Sequence, residues 1–155
     1  MSQTAVLIDG KEDLLSRVGQ EIGVSDWLEI SQERVNQFAE ATGDHQWIHV
    51  DPDKAQQGPF GGTIAHGYLT LSLAPMLSWQ TVSVEGVRMG VNYGSNKVRF
   101  INPVKVGAKV RMRIKLKQVE PVEPNALQAT FENTFEIEGE PKPACVAEII
   151  SRYYF

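Results

Sequence analysis

The sequence predicts an α+β fold in which a long antiparallel sheet wraps around one buried helix. Two observations carry that reading. Between Lys109 and Lys117, the apolar residues Val110, Met112, Ile114 and Leu116 alternate with Lys109, Arg111, Arg113, Lys115 and Lys117. From Ala129 onward, Ala129, Phe131, Phe135 and Ile137 alternate with Thr130, Glu132, Thr134, Glu136 and Glu138. A period of two with one apolar face belongs to antiparallel strands that have one side in water. The second observation is the segment from Ile64 to Trp79, apolar almost all the way round. A helix of that kind in a globular chain has to be buried.

The remaining elements follow in order. Ser31 is a good N-cap for a helix with Val35, Phe38, Ala39 and Thr42 on one face, and Gly43 is placed to end it. The stretch Gly43 to Pro52 has no helical period and reads as a structured loop, with Pro52 opening a short helix through Lys54 and Ala55. Gly58-Pro59-Phe60-Gly61-Gly62 is a second loop. Pro75 is expected to kink the apolar helix or end it early. Strand-like stretches run from Gly86 to Ile101 and from Ala144 to Tyr154, and a turn at Pro121 to Asn125 joins the two alternating strands. The basic outer face of the first can pair with the acidic outer face of the second. An apolar sheet face and an apolar helix each need a cover, and wrapping one around the other gives the hot-dog architecture.

The length of 155 residues suits a single domain spanning 1–155; a chain of this size buries roughly 70% of its unfolded surface. The formal net charge of −4 argues against a nucleic-acid partner. The one cysteine, Cys145, can form no internal disulfide and falls on an apolar strand face with Ala147 and Ile149. The apolar run Ala5 to Ile8 is too short for a secretory signal, and no window reaches the length of a membrane span. A cytoplasmic location is expected.

Three histidines occur, His45, His49 and His66. His45 and His49 have the i, i+4 spacing of helical zinc ligands, but they sit in a loop with no metalloprotease Glu and no nearby Cys, so no metal is expected. Neither a Gly-x-Ser-x-Gly elbow nor a Gly-x-Gly-x-x-Gly or P-loop signature is present, and no cofactor is implied. What remains is a carboxylate, Asp44, and an imidazole, His49, in a loop before a buried helix with a glycine-rich start. Taken alone, such a pair is a turn cap and a solvated histidine.

The surroundings say more. Gly43-Asp44-His45-Gln46-Trp47-Ile48-His49-Val50-Asp51-Pro52 resembles the Gly-Asp-x-Asn-Pro-x-His signature, followed by Asp-Pro, of the MaoC-like R-specific enoyl-CoA hydratases. Pro59 to Gly67 resembles the loop and start of that family's central helix, and Asn92 to Phe100 is similar to its nodulation protein N subgroup. The blocks fall in order and span most of the chain from Ser31. Gln46 stands where the family has Asn, and Trp47 where it has Pro.

The resemblance implies hydration of a trans-2-enoyl thioester, of coenzyme A or acyl carrier protein, to a 3-hydroxyacyl thioester. Asp44 and His49 would share a water, one as base and one as acid, and the assignment between them stays open. Gly67 would meet the enolate oxygen through its backbone N–H at the helix start. Gln46, Trp47 and His66 would line the site, Tyr93 and Asn96 support it, and Lys97 and Arg99 meet the phosphates. An open sheet edge leads to the expectation of a homodimer. A thioesterase of the same fold and a non-catalytic acyl-CoA-binding subunit are the rival readings.

Overall fold

The computed structural model describes residues 5–155, so the first four residues of the expected domain lie outside it. In chain order the elements are β1 (Val6–Ile8), α1 (Gly10–Ser16), β2 (Glu21–Val24), β3 (Leu28–Glu29), α2 (Gln32–Thr42), α3 (Trp47–Val50), α4 (Pro52–Gln56), α5 (Gly67–Ser72) and α6 (Ala74–Thr81). The second half supplies β4 (Val82–Val84), β5 (Met89–Phe100), β6 (Lys109–Glu123), β7 (Ala126–Ile137) and β8 (Cys145–Tyr154).

The expected sheet is present. It is six-stranded in the order β2-β6-β7-β8-β5, with β3 also paired to β6. All its pairings are antiparallel. Val110, Met112, Ile114 and Leu116 are buried, as are Ala129, Phe131, Phe135 and Ile137. They form the concave face, against which Leu69, Ala74 and Leu77 of α5 and α6 pack. Outside, Arg111 stands opposite Glu136 in register, and both Arg111 and Arg113 hydrogen-bond the Glu136 carboxylate. Lys117 pairs with Glu148 of β8. The basic stripe is thus matched across the sheet. Cys145 is fully buried, and burial pushes its thiol up to about 11.

Two expectations need correction. The apolar helix is not buried all round: Tyr68 and Trp79 are 69% and 78% exposed. As expected of Pro75, it is divided at Leu73, two residues before the proline, whose missing N–H cannot donate to Leu71 O. The loop after Gly43 contains one helical turn, α3, closed by the His49 N–H on Gln46 O and the Asp51 N–H on Trp47 O. A single turn leaves no period to read.

β5 is the anomaly of the sheet. It has β8 on one side and no neighbour on the other among the described residues. Nearly every residue along it is exposed, including Met89, Val91, Tyr93 and Phe100.

Candidate active site

The site is assembled where α2, α3 and the start of α5 meet. Ser31 caps α2 by accepting the Arg34 N–H at 3.1 Å, and Gly43 ends it in the left-handed region at φ 85°. That reversal sends the chain into Asp44, whose Oδ1 accepts the Gln46 N–H at 3.3 Å. α3 then carries His49 inward until only 6% of it is exposed.

Both buried imidazoles have settled tautomers. His49 Nδ1–H donates to Ile64 O at 2.7 Å, because a carbonyl can only accept. This leaves Nε2 with a free lone pair. His66 Nε2–H donates to Asp44 O at 3.0 Å, and its Nδ1 is buried without a partner among the described residues. The two rings stack with centroids 3.9 Å apart and planes 25° from parallel, while Phe38 covers the far side of His66 at 4.9 Å. Burial holds His49 below its ordinary value of 6.5; the Ile64 hydrogen bond opposes that shift, His66 adds to it and the Asp44 charge opposes it. His49 is therefore an uncharged base at neutral pH.

One polar strut was not legible in the sequence. Gln32, half-buried on the first turn of α2, donates Nε2–H to His49 O at 2.7 Å and accepts the Thr63 hydroxyl on Oε1 at 2.6 Å. It ties the main chain of the His49 turn to the loop before α5. A lone glutamine at a helix start carries no signal of such a bridge, since its partners lie 17 and 31 residues away.

Beside His49 lies a cavity of about 260 Å³ whose walls include Ile64, Gly67, Thr70, Phe100 and Val104. Gly67 is the first residue of α5, so its N–H has no partner within the helix. It also lies flat on Phe100: a Cβ there would meet ring atoms at 3.0 to 3.2 Å.

Of the expected site residues, Asp44, His49 and His66 come together, each offering an atom within 4.8 Å of the others, and Gly67 shares the His49 cavity. Gln46 is exposed and Trp47 packs on Gly58 under the Lys54 ammonium; neither lines the cavity. On β5, Tyr93 stacks under Arg152 at 4.0 Å, Asn96 falls in a bulge, and Lys97 and Arg99 are exposed. His45 faces Glu40 at 3.7 Å on the surface.

The Asp44–His49–His66 group has the donor types of a metal site, yet its geometry suits one poorly. Stacked rings hold their in-plane lone pairs in two nearly parallel planes, which suits poorly the single point of convergence that a four-coordinate ion needs. The arrangement favours grasping a small polar molecule between a carboxylate and one imidazole nitrogen.

Comparison with known proteins gives the family and supports the fold. Residues 13–135 match the model of the MaoC like domain. The chain is 56% identical over 141 residues to 3-hydroxyacyl-thioester dehydratase Z of Mycobacterium tuberculosis, covering 91% of this chain and 93% of that one. It is 45% identical over 145 residues to nodulation protein N of Rhizobium leguminosarum bv. viciae, covering 92% and 90%. Among solved structures, the (R)-hydratase from A. caviae involved in PHA biosynthesis superposes with a TM-score of 0.71 at 25% identity, over 86% of this chain and 94% of that one. With the hot-dog fold and the order of its motifs already in place, the chain belongs to the MaoC-like dehydratase family.

Proposed function

We propose that the chain catalyses the reversible, R-specific hydration of a trans-2-enoyl thioester to the 3-hydroxyacyl thioester. The observation that carries this reading is the Asp44 carboxylate within 4.8 Å of a ring nitrogen of His49, a buried, uncharged imidazole that lines an apolar cavity and has its Nε2 lone pair free. A water held between them gives one proton to His49 Nε2 while its oxygen bonds to C3. The C2–C3 π electrons move toward the thioester carbonyl, and the resulting enolate oxygen accepts the Gly67 N–H. The imidazolium, supported by the Asp44 charge, then returns that proton to C2 on the same face. The net result is the addition of one water. His66 serves as a positioning residue, stacked on His49 and hydrogen-bonded to the main-chain oxygen of Asp44.

Lys97 and Arg99 offer exposed cations on β5, the strand that borders the cavity at Phe100, for the phosphates of the thioester carrier. The unpaired edge of β5, with Met89, Val91, Tyr93 and Phe100 at 41–56% exposure, supports pairing with a second copy of the chain.

Crotonyl-CoA tests the reaction. Loss of the conjugated-enone absorbance without thiol release is expected, and thiol release would point instead to a thioesterase. Asp44→Asn and His49→Ala should each lower kcat by about 10²- to 10⁴-fold. Undiminished turnover in both variants would overturn the assignment.

A further inference from the structure

A second cavity, of about 550 Å³, lies between the α5–α6 pair and strands β5, β7 and β8. Its volume is in the range of small-molecule sites. Gly67 and Thr70 line the His49 cavity, and Leu71, Ala74, Pro75 and Ser78 line the second one. These six positions follow the i, i+3, i+4, i+7, i+8, i+11 spacing of a single helix stripe. β5 flanks both spaces, at Phe100 for the first and from Gly90 to Ser95 for the second. The two cavities therefore follow one another along the same face of the α5–α6 pair. At 1.5 Å per residue, Ser72 lies roughly 7.5 Å along the axis from Gly67. An acyl chain leaving the His49 site along that stripe would run toward the second cavity.

The inner wall of that space is not what a plain hydrocarbon needs. Asn133 occupies the position in β7 where the alternation of Ala129, Phe131 and Phe135 calls for an apolar side chain. Its cross-strand partners are Ile114 on β6 and Ala147 on β8. Only 2% of Asn133 is exposed, and its Oδ1 is buried with no hydrogen-bond partner among the described residues. A buried amide in an apolar floor is costly unless something satisfies it. Ser72, Ser78, Asn92, Ser95 and Ser151 add further polar groups to the same walls.

We propose that the second cavity is an acyl-chain chamber selecting chains that carry a hydroxyl group, with Asn133 as the residue that recognises it. A hydroxyl both donates and accepts, so it satisfies Asn133 through either end of the amide. The proposal rests on the acyl-thioester reading of the His49 site.

Binding and turnover are measured separately. Saturated decanoyl-CoA and its analogues, with the hydroxyl moved one carbon at a time along the distal half of the chain, are titrated by calorimetry. The matching trans-2-decenoyl-CoAs are assayed for hydration beside crotonyl-CoA, which is too short to reach the chamber. At one hydroxyl position wild type should gain about tenfold in both Kd and kcat/KM over the plain chain, the worth of one buried hydrogen bond. Asn133→Leu, similar in volume, should erase that gain and leave crotonyl-CoA turnover unchanged. If wild type prefers no hydroxylated chain at any position, or the preference survives in Asn133→Leu, the proposal is overturned. Selective binding without hydration of any substrate would instead sink the catalytic reading and leave the chamber standing.

Discussion

Gln32→Leu probes how the base is held in place. The substitution keeps the bulk of the side chain and removes its hydrogen bonds to His49 O, Thr63 and Asn36. The Asn36 contact is exposed and contributes little. The other two are partly buried and join segments 17 and 31 residues apart, with Thr63 only 7% exposed. At about 1 kcal/mol net for each, the loss is about 2 kcal/mol. For a domain of this length that lowers Tm by about 4–8 °C. The effect on catalysis comes through geometry: freeing the main chain of the His49 turn lets Nε2 drift from the water, and a 1 Å displacement can cost about 10²-fold in rate. Calorimetric melting and crotonyl-CoA kinetics together test this. Thr63→Val should produce part of the loss, and the double variant should be no worse than Gln32→Leu, because both changes break one network. A Gln32→Leu protein with wild-type Tm and kcat, or strictly additive losses, would refute the strut.

Further outcomes follow from the same geometry. Because the fold favours uncharged His49, the acid limb of kcat/KM should lie below 6.5. The same linkage gives stability that is complete above 6.5 and lost as pH falls through the depressed folded value; Tm against pH should show that loss in wild type and not in His49→Ala. Gly67→Ala forces a methyl to within 3.0 Å of the Phe100 ring. It should cost about 1–3 kcal/mol and lower kcat/KM, with the stability loss relieved by Phe100→Leu. Replacing Met89 and Val91 together by Glu places charge on the exposed edge of β5; sedimentation should show wild type as a dimer and the variant as a monomer.

The parts of the fold legible in the sequence were those with repetition. β6 and β7 alternate over enough residues to reveal both faces, and Ser31 and Gly43 bracket α2 with recognisable caps. β1, β2 and β3 are two to four residues long, too short for any period, and were not anticipated. The exposure of Tyr68 and Trp79 was hidden because an apolar helix face does not say whether its cover comes from the same chain. At the site, Asp44 and His49 were readable only through their motif. Their convergence with His66 depends on a turn at Gly43 and on stacking between segments 17 residues apart, neither of which is periodic. Asn133 interrupts the alternation of β7, and that break carries a meaning only with the cavity in front of it.

The ring hydrogens of both buried imidazoles rest on main-chain oxygens, those of Ile64 and Asp44. Every residue type supplies such an oxygen, so exchanging the side chain at either position leaves the wiring intact. Chemistry and scaffold can thus be varied independently. An Asp44→Asn protein should keep its pocket shape while stalling the reaction, which makes it the form in which an unreacted thioester can be captured and seen.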